Sequence, residues 1–226
     1  MEAGIESADA FLRTVDLERD RLVRSFDLAE LHSEDVVEMR SDVDPATAIG
    51  VAIAANSPWP IELHARLMTE SDQTPAEPTA ERYVREFLDP TDPSCFPDAS
   101  CGLLKTSNDV RRSNPLYTLD FILWKDFRWI RVLEGGEDSG RTSFLARSFV
   151  AERTLGENGT TEMVQSYTVD LWVQTPDDEV RRIQTLHSEV NIPGISDPDL
   201  IRGTIIYSID QAFKAADDTI EEAYTE

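Results

Sequence analysis

A chain of 226 residues with 40% hydrophobic and 8% aromatic content has the material for a packed core, which argues against disorder throughout. Its 44 acidic and 21 basic side chains leave a net charge of −23 and a pI near 4.4, a surface that repels phosphate backbones and anionic headgroups. Nucleic acid is thereby excluded as an expected partner, while a basic protein partner or an apolar small-molecule ligand stays open.

The opening MEAGIESADAFLRTVDLERD has neither a basic leader region nor an unbroken apolar run. No stretch approaches the roughly 18 apolar residues of a membrane span, so the protein is expected to be cytoplasmic and not membrane-embedded. Apolar residues from Ile5 to Phe26 recur at three- and four-residue steps, predicting an amphipathic helix. The segment from Val36 to Val43 reads as a short strand. Asp44-Pro45 then reads as the capped start of a helix running to Ala55, whose small residues suit close packing on a sheet. Pro58 and Pro60 end it, and Ile61 to Glu70 alternates well enough for a strand.

Six prolines punctuate the stretch from Ser71 to Pro115, in which only TAERYVREFL keeps a helical pattern. It reads as a helix-bearing insertion, either a lid or a poorly ordered excursion. Cys95 and Cys101 lie within it in CFPDASC, and the cytoplasmic expectation makes them thiols.

From Leu116 the strand signal is strong. LYTLDFILW and DFRWIRVLE alternate aromatic and β-branched residues, and Lys125-Asp126 between them permits a tight turn or a bend in one long strand. Strands follow over Thr142 to Arg153, Glu162 to Gln174 and Val180 to Val190, with Asn158-Gly159 as a hairpin signal. Ser196-Asp197-Pro198-Asp199 opens a long helix, and its apolar residues from Leu200 to Ile220 form a stripe broad enough to be gripped by a curved sheet. The domain reading is an N-terminal helix in residues 1–35, then one α+β domain over 36–226 with an insertion at about 71–115.

The fold class expected is thus α+β: an antiparallel β-meander of long strands gripping a long C-terminal helix, with an N-terminal helix and a Pro-rich insertion. This element order, from about Val36 to Glu222, resembles the START-like helix-grip superfamily (SRPBCC), which includes lipid-transfer domains, polyketide cyclases and plant hormone receptors. The resemblance implies an apolar cavity that binds or transports a lipid, sterol, aromatic or polyketide-like molecule. It carries no catalytic residue over by position.

Aromatic side chains at alternate strand positions, Tyr117 with Phe121, Phe127 with Trp129, and Tyr167 beside Val169 and Leu171, are the best candidates for a pocket wall, with plain core as the commoner alternative. Arg131 shares a face with Phe127, Trp129 and Leu133, so an inward guanidinium would need a carboxylate or a ligand anion. Gln165 and Gln184 interrupt apolar faces and are candidates to read a ligand's polar end, with a rim or outward position as the alternative. His187 lies two residues from Glu189, but Arg181, Thr185, His187 and Glu189 together make a polar face that reads as solvated. No HExxH, CxxC, GxSxG or phosphate-cradling glycine loop occurs, so no metal, cofactor or catalytic residue is assigned. Two further readings stay open. One is an acidic interaction module, chaperone-like or inhibitor-like, that binds a basic partner. The other is a cyclase- or dehydratase-type enzyme, which would need a polar cluster deep in the pocket.

Overall fold

A computed structural model describes residues 24–224, apart from 27, 29, 37–38, 41, 114–116 and 135–136. In chain order the elements are β1 (Arg24–Phe26), α1 (Ser33–Val36), β2 (Ile49–Ser57), α2 (Ile61–Leu67), β3 (Ala80–Asp89), β4 (Leu103–Ser113), β5 (Thr118–Glu134), β6 (Glu137–Val150), β7 (Thr154–Leu155), β8 (Glu162–Gln174), β9 (Val180–Asn191) and α3 (Pro198–Tyr224). The strands form one antiparallel sheet in the order β1-β2-β9-β8-β6-β5-β4-β3, with β7 added to β8. The long helix α3 packs on the concave face, as the patterning predicted.

Local chemistry accounts for the connections. The Asn158 side-chain oxygen accepts hydrogen bonds from the Thr160 and Thr161 N–H groups, and Gly159 has φ 68° in the turn joining β7 to β8. Lys125-Asp126 is no turn: β5 runs through it for 17 residues, with Lys125 on the concave face and Asp126 on the convex face against Arg147. Asp197 accepts from the Asp199 N–H at the start of α3, where Pro198 loses no helical hydrogen bond.

The concave face is filled at one end. Ile61 and Ala65 of α2 and Ile220 of α3 close over Phe96, Phe127, Phe144 and Trp172, all buried. The Phe144 and Trp172 rings stack at 4.5 Å between centroids. Toward the middle of α3, Ile209 is buried on Val51 and Ile53 of β2.

Several local expectations are corrected. The segment from Ala46 to Ala55 is not helical: Asp44 caps a 3-10 turn, Pro45–Thr47, and the chain then enters β2. A strand enclosed between β1 and β9 shows a continuous apolar run, which lacks the two-residue period that distinguishes strands. Ile61 to Glu70 is not a strand. Ile61, His64, Ala65 and Leu67 are buried on the inner side of α2, a spacing that helical periodicity satisfies as well as alternation does. TAERYVREFL lies in β3 rather than in a helix, because pairing with β4 sets Tyr83 and Arg85 inward and Glu81, Val84 and Glu86 outward. The segment 71–115 thus supplies two strands to one edge of the sheet.

In place of a strand from Val36, α1 ends at that residue, and Arg40 is buried with its guanidinium on Asp42 and the carbonyls of Val150 and Val164. Of the helix expected over Ile5 to Phe26, the last three residues form β1, and the rest lies outside the described residues. Cys95 and Cys101 are joined by a disulfide instead of remaining thiols. The Asp92-capped turn and the Cys101 N–H bond to the Cys95 carbonyl bring their Cα atoms to 5.3 Å. Among the described residues no helix is long and apolar enough to cross a membrane.

Candidate functional site

Under the N-terminal half of α3 the concave face is not filled. A cavity of about 120 Å³ lies between Ile201, Ile205, Ile209 and Ala212 of the helix and the sheet. A second compartment of about 70 Å³ adjoins it and shares Glu77, Tyr83, Lys125, Gln184 and Ala212. The larger is of the order of the roughly 150 Å³ cavity that takes up benzene. Strand alternation sets its far wall, where Val110, Phe121, Leu123 and Val150 point inward from β4, β5 and β6.

A buried ion pair crosses the floor. Lys125 Nζ donates to Asp170 Oδ2 at 2.6 Å, from β5 to β8. The bridge passes over β6, whose residues opposite the pair are Ser148 and Ala146, small enough to leave room. Burial alone would pull the Lys125 ammonium down. The Asp170 charge, Tyr83 and the hydrogen bond to Asp170 together outweigh it and hold the group above its ordinary 10.5. Nearby, Arg85 is buried with its guanidinium on Asn108 Oδ1 and the Met68 carbonyl at the C-terminus of α2, where a cation meets the negative helix end.

A second network ties α3 to the sheet. Arg182 of β9 donates to Asp217 Oδ2 at 2.8 Å and to the Phe213 carbonyl, and lies over the Phe213 ring. Ser57 donates to Asp217 Oδ1 at 2.6 Å, and the His64 Nε2 lies 2.9 Å from the Ser57 oxygen. With the Ser57 proton spent on Asp217, the imidazole donates through Nε2–H, which leaves Nδ1 bare, buried and without a partner. Serine stands between histidine and carboxylate here, whereas activating a serine nucleophile requires histidine in the middle. The network is a clamp.

Burial, with the Arg182 charge adding to it, pushes His64 well below its ordinary 6.5. Only the unfolded chain then takes up a proton as pH falls through 6.5, so this contribution is complete above that value and is lost below it. Asp217, raised above 3.8 by burial, acts in the opposite sense but at lower pH. Stability is therefore expected to drop by about 1.4 kcal/mol between about pH 7.5 and 5.5 from His64 alone. Urea denaturation at both values checks this, and a His64→Gln protein showing the same drop would assign it elsewhere.

Of the residues singled out from sequence, Tyr117, Phe121 and Gln184 come together on the cavity wall. Trp129 instead packs edge-on against Phe144 and donates to the Phe96 carbonyl, in the filled end. Arg131 is exposed, further along β5. Gln165 and Tyr167 are on the convex face, not in the cavity. The reason is an irregularity in β8 between Met163 and Gln165, after which Ser166, Thr168 and Asp170 point inward. Gln165 Nε2 donates to Glu189 Oε2, Thr47 and the Asp44 carbonyl, and Tyr167 is buried. The polar face holding Thr185 and His187 is also buried rather than solvated. Leu28, Asp44 and Thr47 contribute to its cover: Thr47 donates to Glu189, the Asp44 carbonyl accepts from Gln165, and Leu28 lies beside Gly50, where an added Cβ would stand 3.1 Å from His187 Nε2.

Lys125, Asp170, Ser166 and Thr168 were missed. Lys125 had a readable signal, since it interrupts an apolar alternation of Phe121, Leu123, Phe127 and Trp129 on one strand face.

The solved structure of human StAR-related lipid transfer protein 5 superposes with a TM-score of 0.50, covering 78% of this chain and 77% of that one at 9% identity. A protein from Thermus thermophilus gives 0.49 (77% and 99% covered, 13% identity), and a START superfamily protein from Mycobacterium smegmatis gives 0.47 (76% and 97% covered, 12% identity). No protein-family model matches the sequence, and no curated protein matches it.

Proposed function

We propose that this chain, whose fold is the START-like helix grip, binds a small molecule with substantial apolar surface in the cavity beneath α3. One observation carries the reading: the same helix closes a filled aromatic core under its C-terminal half and an unfilled, partly apolar space under its N-terminal half. Interiors are otherwise close-packed, so a space of this size between regular elements has a use more readily than it has a structural reason. The name of the human structural neighbour, a lipid transfer protein, supports the same kind of reading. The inner cluster suits holding a ligand better than exchanging protons with one, because Lys125 is kept protonated by Asp170.

Ala212 lines both compartments, so Ala212→Phe fills the space from the helix side. Uptake of 2-naphthol, followed by its fluorescence, is expected to weaken about tenfold or more in this variant. Native mass spectrometry of gently purified wild-type protein is expected to show a co-purifying mass that the variant lacks. A folded Ala212→Phe protein that takes up 2-naphthol as well as wild type would place binding elsewhere and overturn the proposal.

A further inference from the structure

The cavity has two unlike faces. Its roof on α3 is apolar, and the two hydroxyls there are already used: Thr204 donates to the Leu200 carbonyl and Ser208 to the Thr204 carbonyl. The floor on the sheet is apolar at Leu123, Val150 and Leu186 and carries among them a patch of polar side chains whose arrangement follows from strand register. Lys125, Ser148 and Thr168 are direct cross-strand neighbours on β5, β6 and β8. Asp170 stands opposite Gln184, and Ser166 opposite Ser188, on β8 and β9. All point into one or other compartment. Polar groups therefore repeat at about 5 Å across β5, β6 and β8 and at about 7 Å along β8, where Ser166, Thr168 and Asp170 share the face.

Internal bonds leave part of this patch unspent. Ser148 and Thr168 bond to each other, and Asp170 takes one of the three Lys125 protons. Asp170 Oδ1 is buried with no partner. Among the described residues, the Ser166 hydroxyl and the Gln184 side-chain amide have none either. Donors and acceptors are thus both available, spread over a surface rather than gathered at one end.

We infer that the cavity selects a flat, polyoxygenated ring molecule, one face carrying several hydroxyl or carbonyl oxygens and the other apolar, in preference to a plain hydrocarbon-chain lipid. The inference rests on the binding reading above and adds the ligand's class. An alkyl chain over this floor would displace water from the polar groups and return no hydrogen bonds. A ring system lying parallel to the sheet meets them with its oxygens and meets the isoleucines of α3 with its other side.

The test is a set of matched small probes, naphthalene, naphthol, dihydroxynaphthalene and decanol, titrated calorimetrically into the wild-type protein and the Ser166→Ala/Gln184→Leu variant. With wild type, dihydroxynaphthalene is expected to bind about tenfold more tightly than naphthalene and more tightly than decanol, with naphthol between the two aromatic extremes. In the variant that advantage is expected to shrink to about threefold or less, with naphthalene held no more weakly. If naphthalene or decanol binds wild type as tightly as dihydroxynaphthalene, the floor only holds water and the inference falls while the binding reading stands. Should no probe bind, the binding reading falls as well. Should the double variant not fold, the wild-type series alone decides.

Discussion

Asp170→Ala is expected to destabilise the protein by about 3–5 kcal/mol, the usual consequence of removing one partner of a buried ion pair. Both side chains are close to nine-tenths buried, so Lys125 would keep its charge without a counterion in a site from which water is largely excluded. Arg85 on the same inner wall makes matters worse, since its charge already works against that of Lys125. For Lys125 the surroundings return more than its burial costs, because the Asp170 charge and hydrogen bond, with Tyr83, hold it above its ordinary 10.5 despite desolvation. Lys125→Met/Asp170→Leu is therefore expected to recover part of the loss and not all of it. Urea denaturation of the two single variants and the double variant measures this coupling. A loss below about 1 kcal/mol for Asp170→Ala would mean that water reaches the pair, and the enclosed-floor description would be wrong.

Asp217→Ala is expected to cost a similar amount, about 3–5 kcal/mol, and the outcome of the double replacement should differ. Removing Asp217 strips Arg182 and Ser57 of a partner at once, and the Arg182 side chain is almost wholly buried. Here both charged groups are shifted the other way: burial pulls Arg182 below its ordinary 12.5 and pushes Asp217 above 3.8, more than their mutual attraction corrects. Desolvation therefore exceeds the gain from pairing, and Arg182→Met/Asp217→Leu is expected to be within about 1 kcal/mol of wild type or more stable. The clamp also holds α3 where it turns from roofing the cavity to closing the aromatic core. Amide exchange in α3 is expected to quicken in Asp217→Ala more than in the double variant. Equal loss in single and double variants would show that the charges are net stabilising, against this account.

The two pairs show what was and was not readable beforehand. Arg182 stands in a strand correctly recognised from alternation and Asp217 in a helix correctly recognised from its stripe, whereas Lys125 stands where the pattern allowed either a tight turn or a bend in one long strand. Their partners lie 45 and 35 residues away in the chain, and local periodicity carries no information about which strand will lie two places over. Tyr117, Phe121 and Gln184 reached the cavity wall because nothing interrupts the alternation around them. Gln165 and Tyr167 did not, since one irregularity in β8 exchanges the faces of the residues around it, and a bulge leaves no mark in composition.

By itself the sequence determined the elements whose signals are local: the meander from β5 to β9, the Asn158-Gly159 turn and the capped start and apolar stripe of α3. These follow from backbone preference and from the two periods by which strands and helices sort side chains to their faces. Only the tertiary structure decided that the small-residue run of β2 is a strand, that Ile61–Leu67 is a helix, and that Cys95 and Cys101 are joined. Each depends on a neighbour supplied from elsewhere in the chain. The cavity belongs to this second group. Whether apolar residues facing one another fill a space or surround it is set by sheet curvature and by the height at which α3 is clamped, and neither is a property of any one segment.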